Sequence, residues 1–268
     1  MLLESKNAVI YGAGGAVGGA VARAFAREGA RVFLTGRRLS TVNVVAEQIS
    51  AEGGAAEADQ VDALDEQGVE KHIAAVLEKT GKIDVSFNAI GIPAPEVARR
   101  GMQGVPLTDL ALEAFSLPVT TYTRAHFVTA KAAARRMVGQ RSGVILMHTP
   151  EPGRLGVPLV GGMGPAWAAL ESLCRNLSAE VASHGVRVVC LRSTGLPETQ
   201  TIDVIFGVHA KALGITPKQF QNLLESRIHT RRSTTLAQLT DAAVFMASDR
   251  ASGLTGTVAN LTGGEAAD

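Results

Sequence analysis

The sequence predicts an α/β fold: a doubly wound parallel sheet of seven strands with helices on both faces. Three observations carry that prediction. A short apolar run at 8–11 enters the glycine-rich stretch Gly12-Ala13-Gly14-Gly15-Ala16-Val17-Gly18, which passes into an alanine-rich helical segment ending near Glu28. Short apolar strands then alternate with helical stretches along the chain, the pattern of parallel βαβ units with right-handed crossovers. Hydrophobic residues make up 46% of the 268 and aromatics only 4%, with 29 glycines. A core of Ala, Val, Leu and Ile suits helices packed closely on a parallel sheet. A chain of this length supports one large core, and no linker, repeat or low-complexity tract divides residues 1–268.

Gly29-Ala30 stops the first helix, and residues 31–35 form a second strand ending at Gly36-Arg37-Arg38. An amphipathic helix over 40–52 leads to a short third strand at 55–61, closed by Val61-Asp62-Ala63. A helix over 65–79 follows, then Gly81 and a fourth strand at 83–88 that ends in Asn88-Ala89-Ile90-Gly91. Residues 91–117 read as loop and short helix, and 120–138 as a long helix. The fifth strand, 143–149, stops at Pro150-Glu151-Pro152-Gly153, because two prolines remove backbone donors and cannot extend a ladder. An Ala/Leu-rich helix over 164–183 and a sixth strand at 186–191 precede the longest irregular region, 194–232, with one helix near 217–226. Excursions of that length serve as lids over a site or as interface arms. A last helix over 236–248 and a seventh strand over 256–261 complete the sheet.

Charge and composition exclude several function classes. The 26 basic and 25 acidic residues nearly cancel, which offers nothing to nucleic acid or an anionic membrane. Cys174 and Cys190 stand alone in apolar settings and match no metal spacing, as expected of small core residues in a reducing compartment. His209 and His229 likewise carry no metal spacing. No long apolar span or signal-type segment is present, so a soluble, cytoplasmic protein is expected.

The glycine stretch points to a dinucleotide. Glycines let the backbone turn tightly and bring N–H groups against a pyrophosphate, whose charge is favoured by the positive end of the following helix. The candidates there are Gly12, Gly14, Gly15, Ala16, Val17 and Gly18. At the end of the second strand an acidic residue would accept from a ribose 2′-hydroxyl, whereas arginine accommodates a 2′-phosphate. Only Arg37 and Arg38 stand there; they are either a solvated basic turn or the mark of NADP(H) preference over NAD(H). Ligands collect beyond the carboxyl ends of such strands, where these turns gather.

Taken together, the segments resemble the short-chain dehydrogenase/reductase family, in particular its ketoacyl-reductase-like members. Residues 10–18 stand where that family has Thr-Gly-x-x-x-Gly-Ile-Gly, Val61-Asp62-Ala63 where it has its adenine-binding Asp, and Asn88-Ala89-Ile90-Gly91 where it has Asn-Asn-Ala-Gly. Residues 127–137, 143–145 and 177–189 follow its pattern, as do Phe245-Met246-Ala247-Ser248-Asp249 and Leu254-Thr255-Gly256. The resemblance covers essentially the whole chain. It implies a Rossmann-like fold, nicotinamide-cofactor contacts from Asp62, Ala63, Asn88, Ala89 and Thr199, a small-molecule substrate, and dimer or tetramer contacts through the helices at 120–138 and 164–183.

The family's chemistry uses a Tyr-x-x-x-Lys pair, a preceding Ser and an upstream Asn. By gap-free spacing, Met163 falls at the tyrosine, Trp167 at the lysine, Pro150 at the serine and Tyr122 at the asparagine. Pro150, Met163 and Trp167 cannot exchange a proton usefully. Ala16 replaces a glycine of the cradle, and Pro197 falls where a backbone N–H would bind the nicotinamide carboxamide. The adenosine half of the site is therefore better kept than the nicotinamide half. Tyr122 either fills a cavity or acts as an acid with His126, one helical turn away, as a cationic partner. His148 shares parity with Pro150 and either faces the site or is a hydrogen-bonded core histidine. Glu151 lies beyond the strand end where a substrate would sit, or is simply a solvated loop acid, and Trp167 and Met163 read as apolar lining of the pocket. Three functions follow: an atypical NADP(H) oxidoreductase; an inactive nucleotide-binding, sensing or partner subunit, homo-oligomeric or paired with an active relative; and a non-redox isomerase, dehydratase or cyclase.

Overall fold

The structure, a computed structural model, describes residues 1–267. Seven strands, β1 (Asn7–Tyr11), β2 (Arg31–Gly36), β3 (Ala55–Gln60), β4 (Val85–Asn88), β5 (Gly143–Pro150), β6 (Val186–Ser193) and β7 (Thr257–Leu261), pair in parallel throughout in the order β3-β2-β1-β4-β5-β6-β7. The expected α/β architecture is the observed one. The order reverses between β1 and β4, and a crevice opens beyond the carboxyl ends of strands at such a switch point.

Side-chain parity along the strands builds two cores. Ala8, Ile10, Val32, Leu34, Val85, Phe87, Leu146 and Leu191 face α1 (Ala16–Arg27), α2 (Leu39–Ala51) and α9 (Leu236–Ala247). Val9, Tyr11, Phe33, Ile145, Met147, Val188 and Cys190 face α3 (Glu66–Thr80), α5 (Leu112–Gln140) and α6 (Met163–Val181). Strands buried on both faces must be apolar at nearly every position, which is why they read as continuous runs. β3 is the exception. It is an edge strand, and its Glu57 pairs with Arg31 and Lys79 in place of apolar packing.

Two expectations need correction. α5 begins at Leu112, eight residues before the expected start at 120, and carries Pro118 inside it. A proline removes one helical hydrogen bond and normally ends the helix. Here its ring is buried, and the hydroxyls of Thr120 and Thr123 bond back to the carbonyls of Ser116 and Val119 at 3.1 and 2.6 Å. The region 194–232 is largely helical: α7 (Gln200–Leu213) precedes the expected α8 (Pro217–Glu225). Phe206 of α7 and Phe220 of α8 close a small core of their own, rings edge to face at 5.3 Å. This helical pair docks on the segment after α4 (Ala94–Arg99) through His209 Nε2 and Gln103 Oε1, 2.9 Å apart and both buried.

The ends of β5 and β6 are fixed to α6 by one buried ion pair. Arg192 donates from Nε and one terminal nitrogen to the two Glu171 oxygens, each at 2.8 Å, and Thr149 donates to Glu171 at 3.2 Å. A fork-to-fork pair fixes direction as well as distance, so the strand ends that carry His148, Pro150 and Ser193 are held in register.

Candidate functional site

The glycine stretch folds as a cradle. Gly12 has φ +80°, and a Cβ there would stand 2.6 Å from the Ala89 carbonyl oxygen; one at Gly18 would stand 2.4 Å from the Gly12 carbonyl. Both positions require glycine. The N–H groups of Gly12 and Ala13 donate to Thr35 O at 3.1 and 2.9 Å, and Ala89 N donates to Tyr11 O at 2.9 Å, so the loop is pinned between β2 and β4. Gly14, Gly15 and Ala16 are exposed. α1 starts at Ala16 with Gly15 as its N-cap, no capping side chain and no acid in its first turn. Its first N–H groups and its positive end therefore face the crevice uncompensated, alongside Val17 and Gly18, an arrangement suited to a pyrophosphate.

Arg37 and Arg38 lie exposed at the end of β2, and neither guanidinium has an ion-pair partner among the described residues. Asp62, exposed beyond β3, turns its carboxylate onto Leu64 N at 3.0 Å, and Ala63 beside it is buried. Asn88 closes β4 fully buried, in register with Tyr11, and neither of its side-chain amide atoms has a partner among the described residues. Thr199, far along the chain at the N-cap of α7, is buried and donates its hydroxyl to Leu196 O at 2.9 Å. The cradle, Arg37, Arg38 and Asn88 thus lie at the carboxyl ends of β1, β2 and β4, and Thr199 follows β6 in the chain.

Of the positions expected to match the family's catalytic residues, Met163 and Trp167 pack in one apolar cluster with Val97, Met102, Val160 and Leu170. Pro150 ends β5, and Met163 and Trp167 sit one turn apart on α6, 1% and 9% exposed. Tyr122 packs edge-on against Trp167, ring centres 6.1 Å apart. Burial outweighs its polar surroundings and holds the phenol above its ordinary value.

His126 is not the cation expected beside Tyr122. Its Nδ1 lies 3.0 Å from the Tyr122 carbonyl, and burial pushes its imidazole down to about 4, so it is neutral at pH 7. His148 is a hydrogen-bonded histidine: its Nε2 lies 2.9 Å from Ser193 Oγ, which itself donates to Thr194 O, so Nε2 carries the proton. Burial brings His148 down to about 4 as well.

Glu151 departs furthest from expectation. It is 7% exposed rather than solvated, and its Oε2 has no hydrogen-bond partner among the described residues. Burial first, and then the negative charge of Glu265, raise its carboxyl to about 8. Glu151 opens a 3₁₀ turn directly after Pro150, and Glu265 stands in the turn after β7. The two meet only in the folded chain, and no local sequence signal couples them.

The model of the family described as enoyl-(acyl carrier protein) reductase matches residues 12–265, nearly the whole described chain. The chain belongs to the short-chain dehydrogenase/reductase family. Among relatives of this family, it is 30% identical to an L-rhamnose 1-dehydrogenase (NAD(P)(+)) of Azotobacter vinelandii and 25% identical to a sorbitol dehydrogenase of Cereibacter sphaeroides, each alignment covering 98% of both chains. The crystal structure of a sorbitol-6-phosphate 2-dehydrogenase from Erwinia amylovora superposes with a TM-score of 0.89 at 25% identity, over 97% of this chain and 100% of that one. As a short-chain dehydrogenase/reductase, the chain has its expected fold. No helix of the described residues is long and apolar enough to cross a membrane, and no cluster of metal-ligating side chains occurs among them.

Proposed function

We propose that this chain binds NADP(H) and acts as an atypical oxidoreductase on a small-molecule carbonyl or alcohol. The observation that carries the reading is the pair of unpaired guanidiniums, Arg37 and Arg38, at a β2 end that holds no acid. A 2′-phosphate brings the countercharge they lack. The cradle of Gly12, Gly14, Gly15, Ala16, Val17 and Gly18 takes the pyrophosphate, Asp62 and Ala63 border the adenine, Asn88 and Ala89 the adjoining ribose, and Thr199 the nicotinamide side. When bound, the cofactor supplies or accepts hydride. The chain's own wall of Pro150, Met163 and Trp167 excludes water and orients a flat ring by apolar contact.

Fluorescence titration with NADPH and NADH tests the reading: NADPH should bind more tightly, and no binding of either removes it. A second reading, a nucleotide-binding protein without turnover, is favoured by one feature. The Tyr122 and Trp167 rings pack edge to face, 6.1 Å between centres, in the space where the family would keep its proton-handling groups. Tyr122 and His148 remain the two groups near that wall to be tested by substitution. Phe127, half exposed on α5, supports assembly with a second copy along α5 and α6.

A further inference from the structure

The groups the family uses to move a proton are missing at Pro150, Met163 and Trp167, but an unused acid stands beside them. Glu151 follows Pro150 immediately at the carboxyl end of β5, the edge on which ligands bind in such sheets. It is more than nine-tenths buried, and its Oε2 is unpartnered. A buried carboxyl with a free oxygen needs either a ligand or a proton. Glu265, from the turn after β7, raises that carboxyl through its charge, and Arg227 acts on Glu265 in turn.

Resting on the NADP(H) reading above, we propose that Glu151 is the catalytic acid of this chain, giving its proton to the oxygen of a hydroxyl-bearing carbonyl substrate held between the ends of β5, β6 and β7. Glu265 accepts from a neighbouring substrate hydroxyl. In the reduction, the carbonyl carbon gains a hydride from a dihydronicotinamide, which is thereby oxidised. The π electrons of the carbonyl move onto oxygen, and that oxygen takes the Glu151 proton. The carboxylate left behind regains a proton from water. A carboxyl near 8 is protonated at pH 7 and so starts the cycle as donor.

The test compares wild type with Glu151→Gln, which keeps the shape of the protonated acid, and Glu151→Asp. Carbon-13 NMR of glutamate-labelled protein should show one side-chain carboxyl titrating between about pH 7 and 9. That signal should be absent from Glu151→Gln and should move when D-fructose or L-rhamnose is added. NADPH affinity by fluorescence should be the same in all three proteins. Reduction of an aldose and ketose panel should fall about 10²–10⁴-fold in Glu151→Gln, and the wild-type rate should decline above the same pH. A carboxyl that fails to titrate there, an unchanged rate and pH profile in Glu151→Gln, or a wild type that binds NADPH and reduces no panel member overturns the assignment. Loss of NADPH binding in wild type overturns the proposed function, and this step with it; the titration, which needs no cofactor, tells the two failures apart.

Discussion

At the scale of single residues, ionisable groups near the β5 end are distinguished by their surroundings more than by their type. Tyr11 and Tyr122 are the only tyrosines of the sequence, and burial raises both phenols. A free tyrosine is half ionised near pH 10. The folded protein should therefore show almost no tyrosinate absorbance near 295 nm at pH 10, and about half of the full two-tyrosine signal once unfolded in urea. A step of one tyrosine in the folded protein would return Tyr122 to candidacy as an acid. By the same logic Tyr122→Phe should leave turnover within about two-fold, because a phenol held above its usual value yields its proton less readily. Arg37 is the opposite case, an exposed guanidinium with no ion-pair partner among the described residues. Arg37→Ala should weaken NADPH about ten-fold, ~1.4 kcal/mol, and leave NADH unchanged in the same fluorescence titration.

Among the elements, α6 carries the apolar wall and is held to the sheet by Glu171 and Arg192, whose side chains are 4% and 3% exposed. Removing one member of a buried pair strands the other charge, which costs about 3–5 kcal/mol. Glu171→Gln should lower the urea midpoint accordingly, whereas replacing both residues by apolar side chains of similar volume should lower it much less. Much at this scale was legible in the sequence, since strands and caps are local. Thr235, for example, caps α9 in a reciprocal box with Gln238, bonds of 3.1 and 3.0 Å. The start of α5 was not legible, because a proline normally ends a helix, and the packing that buries the Pro118 ring is not written at Pro118 itself. α7 was hidden for a related reason. Its apolar residues Ile202, Phe206 and Ala210 pack on α8, not on the sheet, so the alternation that announces a βαβ unit skips them. Within the site, the glycine cradle could be read directly because close approach admits no other residue. The state of Glu151 could not, because it depends on Glu265, more than a hundred residues away in sequence.

For the whole molecule, these buried groups set how stability varies with pH, and they act in opposite directions. His126 and His148 are held near 4 when folded and return to about 6.5 when unfolded. Above pH 6.5 they are neutral in both states. As the pH falls through 6.5 the unfolded chain takes up two protons that the folded chain refuses, so stability falls by about 1.4 kcal/mol per pH unit for each histidine until the folded values are reached. Glu151 behaves in reverse. Its folded value, about 8, lies above the unfolded carboxyl near 4.5, so the folded state holds a proton that the unfolded state has released. Stability from this group is fully present below 4.5 and is lost as the pH rises through 8. The two effects partly cancel between pH 4.5 and 6.5 and are separate above it, where the histidines are silent. Denaturant midpoints of wild type and Glu151→Gln measured from pH 6 to pH 9 should therefore diverge toward the alkaline end, the variant gaining on wild type as the buried carboxyl is forced either to ionise or to keep its proton against the solvent. Parallel curves across that range would mean that the Glu151 carboxyl titrates as an exposed one does, and that its burial is lost in solution.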